Sequence, residues 1–385
     1  MPPTDRVALV YHPDLLQYDF GPQHPLRPER IELGLDLLRT LGIWDAAVET
    51  CVPRAAPDEV LELVHSRDYI AAVRASEHGI LPALELGGFG LTTRDNPPFP
   101  NMHYAASLVA GGAADAARAV MRRELDHVFH PAGGLHHAQR ELASGFCIYN
   151  DPALAAAVAV EEFGARVVYV DFDCHHGDGV QWLFYDDPSV LTVSLHESGR
   201  FLFPGTGGVE ERGAGEGLGY AVNVPFMPFT QDASWQRAIH ALLPPLVERF
   251  APDLLLSVHG CDTHEFDPLT HLSLTTASFV VQAQLVHDLA HNHCDGRWIA
   301  FGSGGYDWRR VVPRSWAIVW SEMSGRILPR ELPPAWLVRW SSDELDPLPL
   351  SFRDNSDMVH PVRRDEVDTA NRETLAEAKR AAGIG

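Results

Sequence analysis

The sequence predicts an α/β protein built around a largely parallel sheet, and two patterns carry that expectation. Short β-branched runs recur along the chain, and longer alanine- and leucine-rich segments with helical spacing separate several of them. Strand alternating with helix is the pattern that parallel strands and their crossover connections produce. In chain order, the runs at 6–12, 165–173, 190–197, 253–260 and 297–305 read as buried strands, and 126–130 is a further candidate. The segments 28–42, 103–122, 152–163, 275–291 and 313–326 read as helices. Two Gly- and Pro-rich stretches, 80–101 and 198–218, are longer than ordinary connections, which is where functional loops are expected. Residues 331–385 hold several prolines and then a charged helical pattern, and read as an appendage packed on or extending from a single catalytic domain of residues 1–330.

Composition narrows the class. The chain has 385 residues, 45% of them hydrophobic, enough to bury a large core without a disulfide or metal staple. With 30 Lys+Arg against 52 Asp+Glu the formal net charge is −22, which argues against nucleic acid as a partner. No apolar run reaches the roughly 20 residues of a membrane-spanning helix, and the N-terminal residues lack a signal-peptide layout, so no membrane partner and a cytoplasmic location are expected. Five scattered cysteines form no CxxC pair and read as reduced thiols.

The densest chemistry lies in Tyr169-Val170-Asp171-Phe172-Asp173-Cys174-His175-His176-Gly177-Asp178-Gly179. An apolar strand there ends in carboxylates and imidazoles, at the C-terminal edge where parallel sheets bind ligands. Asp173 and His175, two apart in an extended segment, would share a face and one metal ion. A second strand ends in Gly260-Cys261-Asp262, supplying another carboxylate at the same edge. Two carboxylates and an imidazole suit Zn²⁺ with a position left open, and would also accept Fe²⁺ or Mn²⁺. Upstream, His136 and His137 each need an orienting acid, and Asp171 and Asp178 are spare, so two His–Asp dyads are expected. Tyr306, on a glycine-rich turn past a strand, is placed to donate to an oxyanion.

The ordered motifs HPAGGLHHA, SGFCIYND, YVDFDCHHGDGVQ, FPGTGG, GCDTHEFDPLTHLSLTT and GSGGYD resemble the histone deacetylase superfamily. YDFGPQHPLRPERI, VHSRDYI and DNPPFPNM make the chain most similar to its bacterial acetoin-utilisation-type members, which resemble class I enzymes. The resemblance implies an arginase-like three-layer fold with an eight-stranded, mainly parallel sheet. It implies Asp173, His175 and Asp262 as zinc ligands, and pairs His136 with Asp171 and His137 with Asp178. It further implies Phe146 and Phe203 as tunnel walls, Gly145 as acceptor from the substrate amide, Asp95 as a rim residue and Arg30 in an acetate-release cavity. A K⁺ ion would be contacted by Asp171, Asp173, His175 and Ser194 with the Leu195 carbonyl. The implied reaction is hydrolysis of acetyl-lysine in a protein or peptide, with His137 as base, or of a small acetylated amine such as a polyamine. An inactive acyl-lysine binding module on the same fold is the non-enzymatic alternative, and it usually requires loss of a residue that this chain retains.

Other features carry less. His287-Asp288-Leu289-Ala290-His291 spaces two histidines like a metalloprotease helix, but Asp stands where that chemistry needs Glu, so both read as solvated helix histidines. Cys147 and Cys174 read as buried packing. GGVEERGAGEG lacks the Lys-Ser/Thr of a phosphate-binding loop.

Overall fold

The structure, a computed structural model, describes residues 5–45, 48–79, 82–343, 345–354 and 364–384. Eight strands form one sheet: β1 Val7–Val10, β2 Glu49–Cys51, β3 His127–His130, β4 Val167–Asp171, β5 Val190–Glu197, β6 Ala221–Phe226, β7 Leu254–Val258 and β8 Trp298–Phe301. Their order is β2-β1-β3-β8-β7-β4-β5-β6, and every pairing is parallel. The central strands are buried along their whole length, as a parallel sheet covered on both faces requires.

The helices among the described residues are α1 Glu29–Thr40, α2 Asp58–Leu61, α3 Arg67–Glu77, α4 Ala83–Gly88, α5 Met102–Met121 and α6 Asp151–Phe163. They continue with α7 Asp178–Leu183, α8 Asp232–Phe250, α9 Thr276–His293, α10 Val312–Ser324, α11 Pro334–Trp340 and α12 Arg364–Ala381. α5 and α6 pack together and against β3, β4, β7 and β8. A second set runs α8 to α9 to α10 to α1, with α9 against β7. Five of these, α1, α5, α6, α9 and α10, match the expected helices to within a few residues. The expected 80–101 loop instead contains α4, which starts after residues 80 and 81, themselves outside the described residues.

One register row positions the chemistry. His130 pairs with Phe301, Phe301 with Val258, Val258 with Asp171, and Asp171 with Ser194. The neighbouring strands β3, β8, β7 and β4 therefore stop at the same level and send their next residues into one crevice. The chain order reverses here, since β5 and β6 add on one side of β4 and β7 and β8 return on the other, the topological switch at which parallel sheets bind ligands.

The C-terminal residues close two weak places. α12 buries Val367, Asn371, Leu375 and Ala378, one helical stripe, and packs on the edge strand β6. Asn371 accepts from Met227 N (3.0 Å) and donates to Thr230 Oγ1 (2.7 Å). Asp354 accepts from Arg314 Nη1 (2.6 Å), His264 Nε2 (3.0 Å) and Thr276 N (2.9 Å), tying α10, α9 and the segment after β7 together. Burial would raise the Asp354 carboxyl, but the His264 hydrogen bond and the Arg314 charge hold it far below its usual 3.8. A depressed carboxylate stabilises the fold above its unfolded pKa, and that contribution is lost only as the pH falls into strong acid. Asp354→Ala leaves the Arg314 guanidinium buried and unpaired, which costs about 3–5 kcal/mol. Urea unfolding at pH 7 reads this directly, and a change below 1 kcal/mol would contradict it.

Candidate active site

The strand ends deliver their side chains through short, hydrogen-bonded turns. After β3 the chain runs through Gly133 and Gly134 to His136 and His137, and the start of α6 holds this segment. Asn150 caps α6 by accepting from Ala153 N, and its amide donates to the carbonyls of His136 (3.1 Å) and Ala138 (2.8 Å). Asp151, buried, accepts from Gly134 N (2.9 Å) and Leu135 N (2.8 Å). Two imidazoles are thereby fixed side by side with Nε2 atoms 3.0 Å apart.

Both expected dyads form. His136 Nδ1 lies 2.7 Å from Asp171 Oδ2, and His137 Nδ1 lies 2.7 Å from Asp178 Oδ1. Tyr169 Oη also donates to Asp171. The two histidines are nevertheless unlike. Burial opposes charge on both, but Asp171 and Asp173 raise His136 to about 9, whereas burial and the neighbouring His136 charge lower His137 to about 4. His137 is the neutral member, and with its Nδ1–H directed to Asp178 the lone pair lies on Nε2.

Asp173, His175 and Asp262 converge, with ligand atoms all within 4.8 Å of one another. The reason differs from the expected alternation of an extended strand. β4 ends at Asp171, and Asp173 and His175 sit in the bends that follow, where His175 N donates to Asp173 Oδ1 at 2.9 Å. That local turn, of the kind Asp favours, brings His175 Nδ1 to 3.1 Å from Asp173 and 2.9 Å from Asp262. Cys174 N holds Asp262 Oδ1 at 2.9 Å, and Ser303 Oγ and Gly304 N hold Asp173 Oδ2 at 2.8 and 2.9 Å. A Cβ on Gly304 would stand 2.4 Å from Asp262 Oδ2, so only glycine lets β8's continuation lie against both carboxylates.

The electrostatics fit a cation at this point. Against its burial, His175 is pushed well above the usual imidazole range by Asp173 and Asp262. Burial and the Asp173 charge raise Asp262 to about 6, and burial with the Asp262 charge raises nearby Asp267 to about 8. Three buried carboxyl groups share too little positive charge, and the proton that His175 holds between two of them marks where a divalent ion would bind, displacing it.

The remaining predicted residues surround this centre. Tyr306 has its ring 6.4 Å from that of His175 and 5.8 Å from that of Phe146. Burial and the charges of Asp262 and Asp173 keep its phenol protonated, well above the usual range. Phe203, 42% exposed, lies edge-on to His137 at 5.0 Å. Gly145 and Phe146 both have positive φ, 52° and 68°, in the tight turn between Ser144 and Cys147. A Cβ on Gly145 would meet the His137 ring at 2.4 Å, and the Gly145 carbonyl accepts from Cys147 Sγ at 3.2 Å. Asp95 is exposed. Its carbonyl accepts from His24 Nε2 (3.2 Å), and the His24 ring packs edge-on to Phe146, 4.5 Å away. Arg30 is buried, donates to the Ser303 carbonyl (2.6 Å) and lies over Trp316. Ser194, beside Asp171, lies 3.4 Å from Gly177 N, and Leu195 follows it within β5.

Sequence reasoning left several positioning residues without a role. Asp267 accepts from Tyr306 N at 2.8 Å, and Tyr18 Oη spans the Gly145–Phe146 turn, donating to Phe146 O (2.8 Å) and accepting from Ile148 N (3.0 Å). Asp267, Asn150 and Asp151 stand inside recognised motifs, and Tyr18 opens one, so the signal was present as wording. A cavity of about 670 Å³ between α9 and α10 is lined by none of these active-site residues.

Comparison with known proteins agrees with the geometry. The histone deacetylase domain model matches residues 24–323. The chain is 45% identical over 372 residues to acetoin utilization protein AcuC of Bacillus subtilis, covering 96% of each. It is 40% identical over 364 residues to the protein of the same name from Staphylococcus xylosus, covering 94% of each. The crystal structure of an HDAC homolog complexed with SAHA gives a TM-score of 0.85 at 30% identity, covering 97% of this chain and 100% of that one. An HDAC homolog from Aquifex aeolicus gives 0.84 at 29%, with the same coverage. No helix among the described residues is long and apolar enough to cross a membrane. The chain belongs to the histone deacetylase family, whose members are metal-dependent hydrolases, and has the arginase-like fold of that family.

Proposed function

We propose that the protein hydrolyses the acetyl, or another short acyl, amide of Nε-acetyl-lysine in proteins, with Zn²⁺ held by Asp173, His175 and Asp262. The observation that carries this reading is the adjacency of a neutral, Asp-oriented imidazole to a buried Asp–His–Asp triad. Zn²⁺ bound there would polarise the acyl carbonyl and lower the pKa of a water to about 7. His137 Nε2 takes that water's proton and afterwards returns it to the departing lysine amine. His136 keeps its charge beside Asp171 and acts electrostatically. The Tyr306 hydroxyl donates to the oxyanion of the tetrahedral intermediate. Phe146 and Phe203 flank the acyl-lysine stem, the Gly145 carbonyl accepts from its amide, Asp95 holds the polypeptide at the rim, and Arg30 lines the route by which acetate leaves. K⁺ behind the zinc site would be held by Asp171, Asp173, His175, Ser194 and the Leu195 carbonyl. All these residues fall within 1–330, and α11, Asp354 and α12, from the 331–385 appendage, serve as a buttress.

Steady-state kinetics of zinc-loaded protein on an acetyl-lysine peptide and an acetylated polyamine, with and without chelator, test the substrate class. The expected result is a chelator-sensitive preference of tenfold or more for the peptide, and the reverse preference would move the substrate to small amines. Tyr306→Phe keeps the ring against Phe146 but removes the oxyanion donor, so kcat should fall by about 10²–10³ with KM little changed. A loss confined to KM would remove Tyr306 from the chemical step.

A further inference from the structure

A second cluster of ligating groups lies at the opposite ends of the strands. Spacing alone leaves His287 and His291 as solvated histidines one turn apart on α9, but the fold sets a third imidazole beneath them. His127 is the first residue of β3, wholly buried, and pairs in register with Val7 of β1, so Asp5 also falls beside it. His127 Nε2 is 3.2 Å from His287 Nε2, and His287 Nε2 is 3.0 Å from His291 Nε2. Asp5 Oδ2 is 3.5 Å from both His127 Nε2 and His291 Nε2. Among the described residues this is the other group, besides Asp173, His175 and Asp262, whose ligand atoms all lie within 4.8 Å of one another.

These separations have a geometric meaning. Donors at about 2.0–2.1 Å from one tetrahedral ion stand about 3.3 Å apart, and four of the six separations here, those around the ring His127–His287–His291–Asp5, run from 3.0 to 3.5 Å, with the two diagonals inside 4.8 Å. Without an ion, three ring nitrogens converge on one point and can be reconciled only by protons between them, while burial first, and then the neighbouring His287, lower His127 to about 4. The polar contacts of His127's side chain all run through Nε2 into the cluster, its Nδ1 having no partner. His287 Nδ1 lies 3.1 Å from Glu322 Oε1, the carboxylate support that metal-bound imidazoles usually have, which leaves Nε2 as the lone-pair atom. The His287 ring is stacked on buried Trp298 (5.5 Å, 27°), so the geometry is held rigidly, while His291 and Asp5 are partly exposed and give an ion a way in.

We infer that Asp5, His127, His287 and His291 form a second metal site, binding one Zn²⁺ and fastening the N-terminal segment and α9 to the start of β3. Three imidazoles and a carboxylate are a donor set that suits Zn²⁺. Four protein ligands leave no open position, so the site is structural.

The test uses the full-length chain without a histidine tag. Asp173→Ala/Asp262→Ala, which disables the first site, should bind one equivalent of Zn²⁺ in competition with a chromophoric chelator, and Co²⁺ should give the visible absorption of a tetrahedral ion. Adding His287→Ala and His291→Ala should abolish both signals. His291→Ala alone, at an exposed position, should weaken binding at least tenfold, which keeps the test valid if the multiple variant fails to fold. With Asp173 and Asp262 intact, His291→Ala should hold one zinc per chain in place of two, with peptide deacetylation within twofold of wild type. No zinc bound by Asp173→Ala/Asp262→Ala, or binding unchanged by His291→Ala, would overturn the assignment. Neither result bears on the deacetylase reading, which rests on the other end of the sheet.

Discussion

Asp262→Asn is expected to lower kcat/KM on an acetyl-lysine peptide by about 10²–10³ or more, while leaving the metal-free chain at least as stable as wild type. The rate loss follows from removing one of three anionic or imidazole ligands, since a bound metal is worth several kcal/mol of charge stabilisation and each 1.36 kcal/mol is tenfold in rate. The stability effect has the opposite sign. In the metal-free protein burial and the Asp173 charge raise Asp262 to about 6, so the folded state binds protons more readily than the unfolded one between its ordinary value and that pH. Stability of the metal-free wild type therefore falls as the pH rises through this window, and the neutral amide removes that slope. Asparagine keeps an oxygen to accept from Cys174 N, as Asp262 Oδ1 does at 2.9 Å. Chemical denaturation of metal-free protein at pH 4.5 and 7.5, alongside zinc content and peptide kinetics, separates the two effects. Activity within tenfold of wild type at equal zinc content would remove Asp262 from the ligand set.

How far the molecule can be read from its residues depends on how local the information is. Asp171, Asp173, His175 and Asp178 stand within eight consecutive positions, and β7 and β8 are apolar runs ending in Gly-Cys-Asp and Gly-Ser-Gly-Gly-Tyr, so each strand announces its own cargo. The edge strands do not. β2 has three residues, partly exposed, and β6 carries Asn223 and Pro225 in an otherwise apolar run, a proline that the outermost strand tolerates. α8 is hidden by Pro244 and Pro245, which interrupt the backbone ladder while Leu242, Leu243, Leu246 and Val247 on either side stay buried. Least legible of all is the meeting of His127 with His287, 160 residues apart. That contact depends on β3 and α9 being brought together by the strand order, and no pattern within either segment encodes it.

His137→Ala should cost about 10²–10⁴ in kcat with little change in KM, and should cost more than His136→Ala. The ordering comes from the two dyads being built alike and charged differently. Each Nδ1 is 2.7 Å from an aspartate, but His136 also lies 3.8 Å from Asp173 Oδ1, and this extra anion keeps its proton on. His137, held neutral by burial and by the charge next to it, is the one able to accept a proton at pH 7. Removing it leaves a space bordered by the backbone of Gly145, which now touches the ring, and by the Phe203 ring at its open side. Free imidazole can enter from that side, so adding it should restore part of the rate to His137→Ala and none to Asp262→Asn, whose lost charge imidazole cannot replace. If His136→Ala proves the more damaging and imidazole rescues that variant instead, the base and the electrostatic partner exchange places.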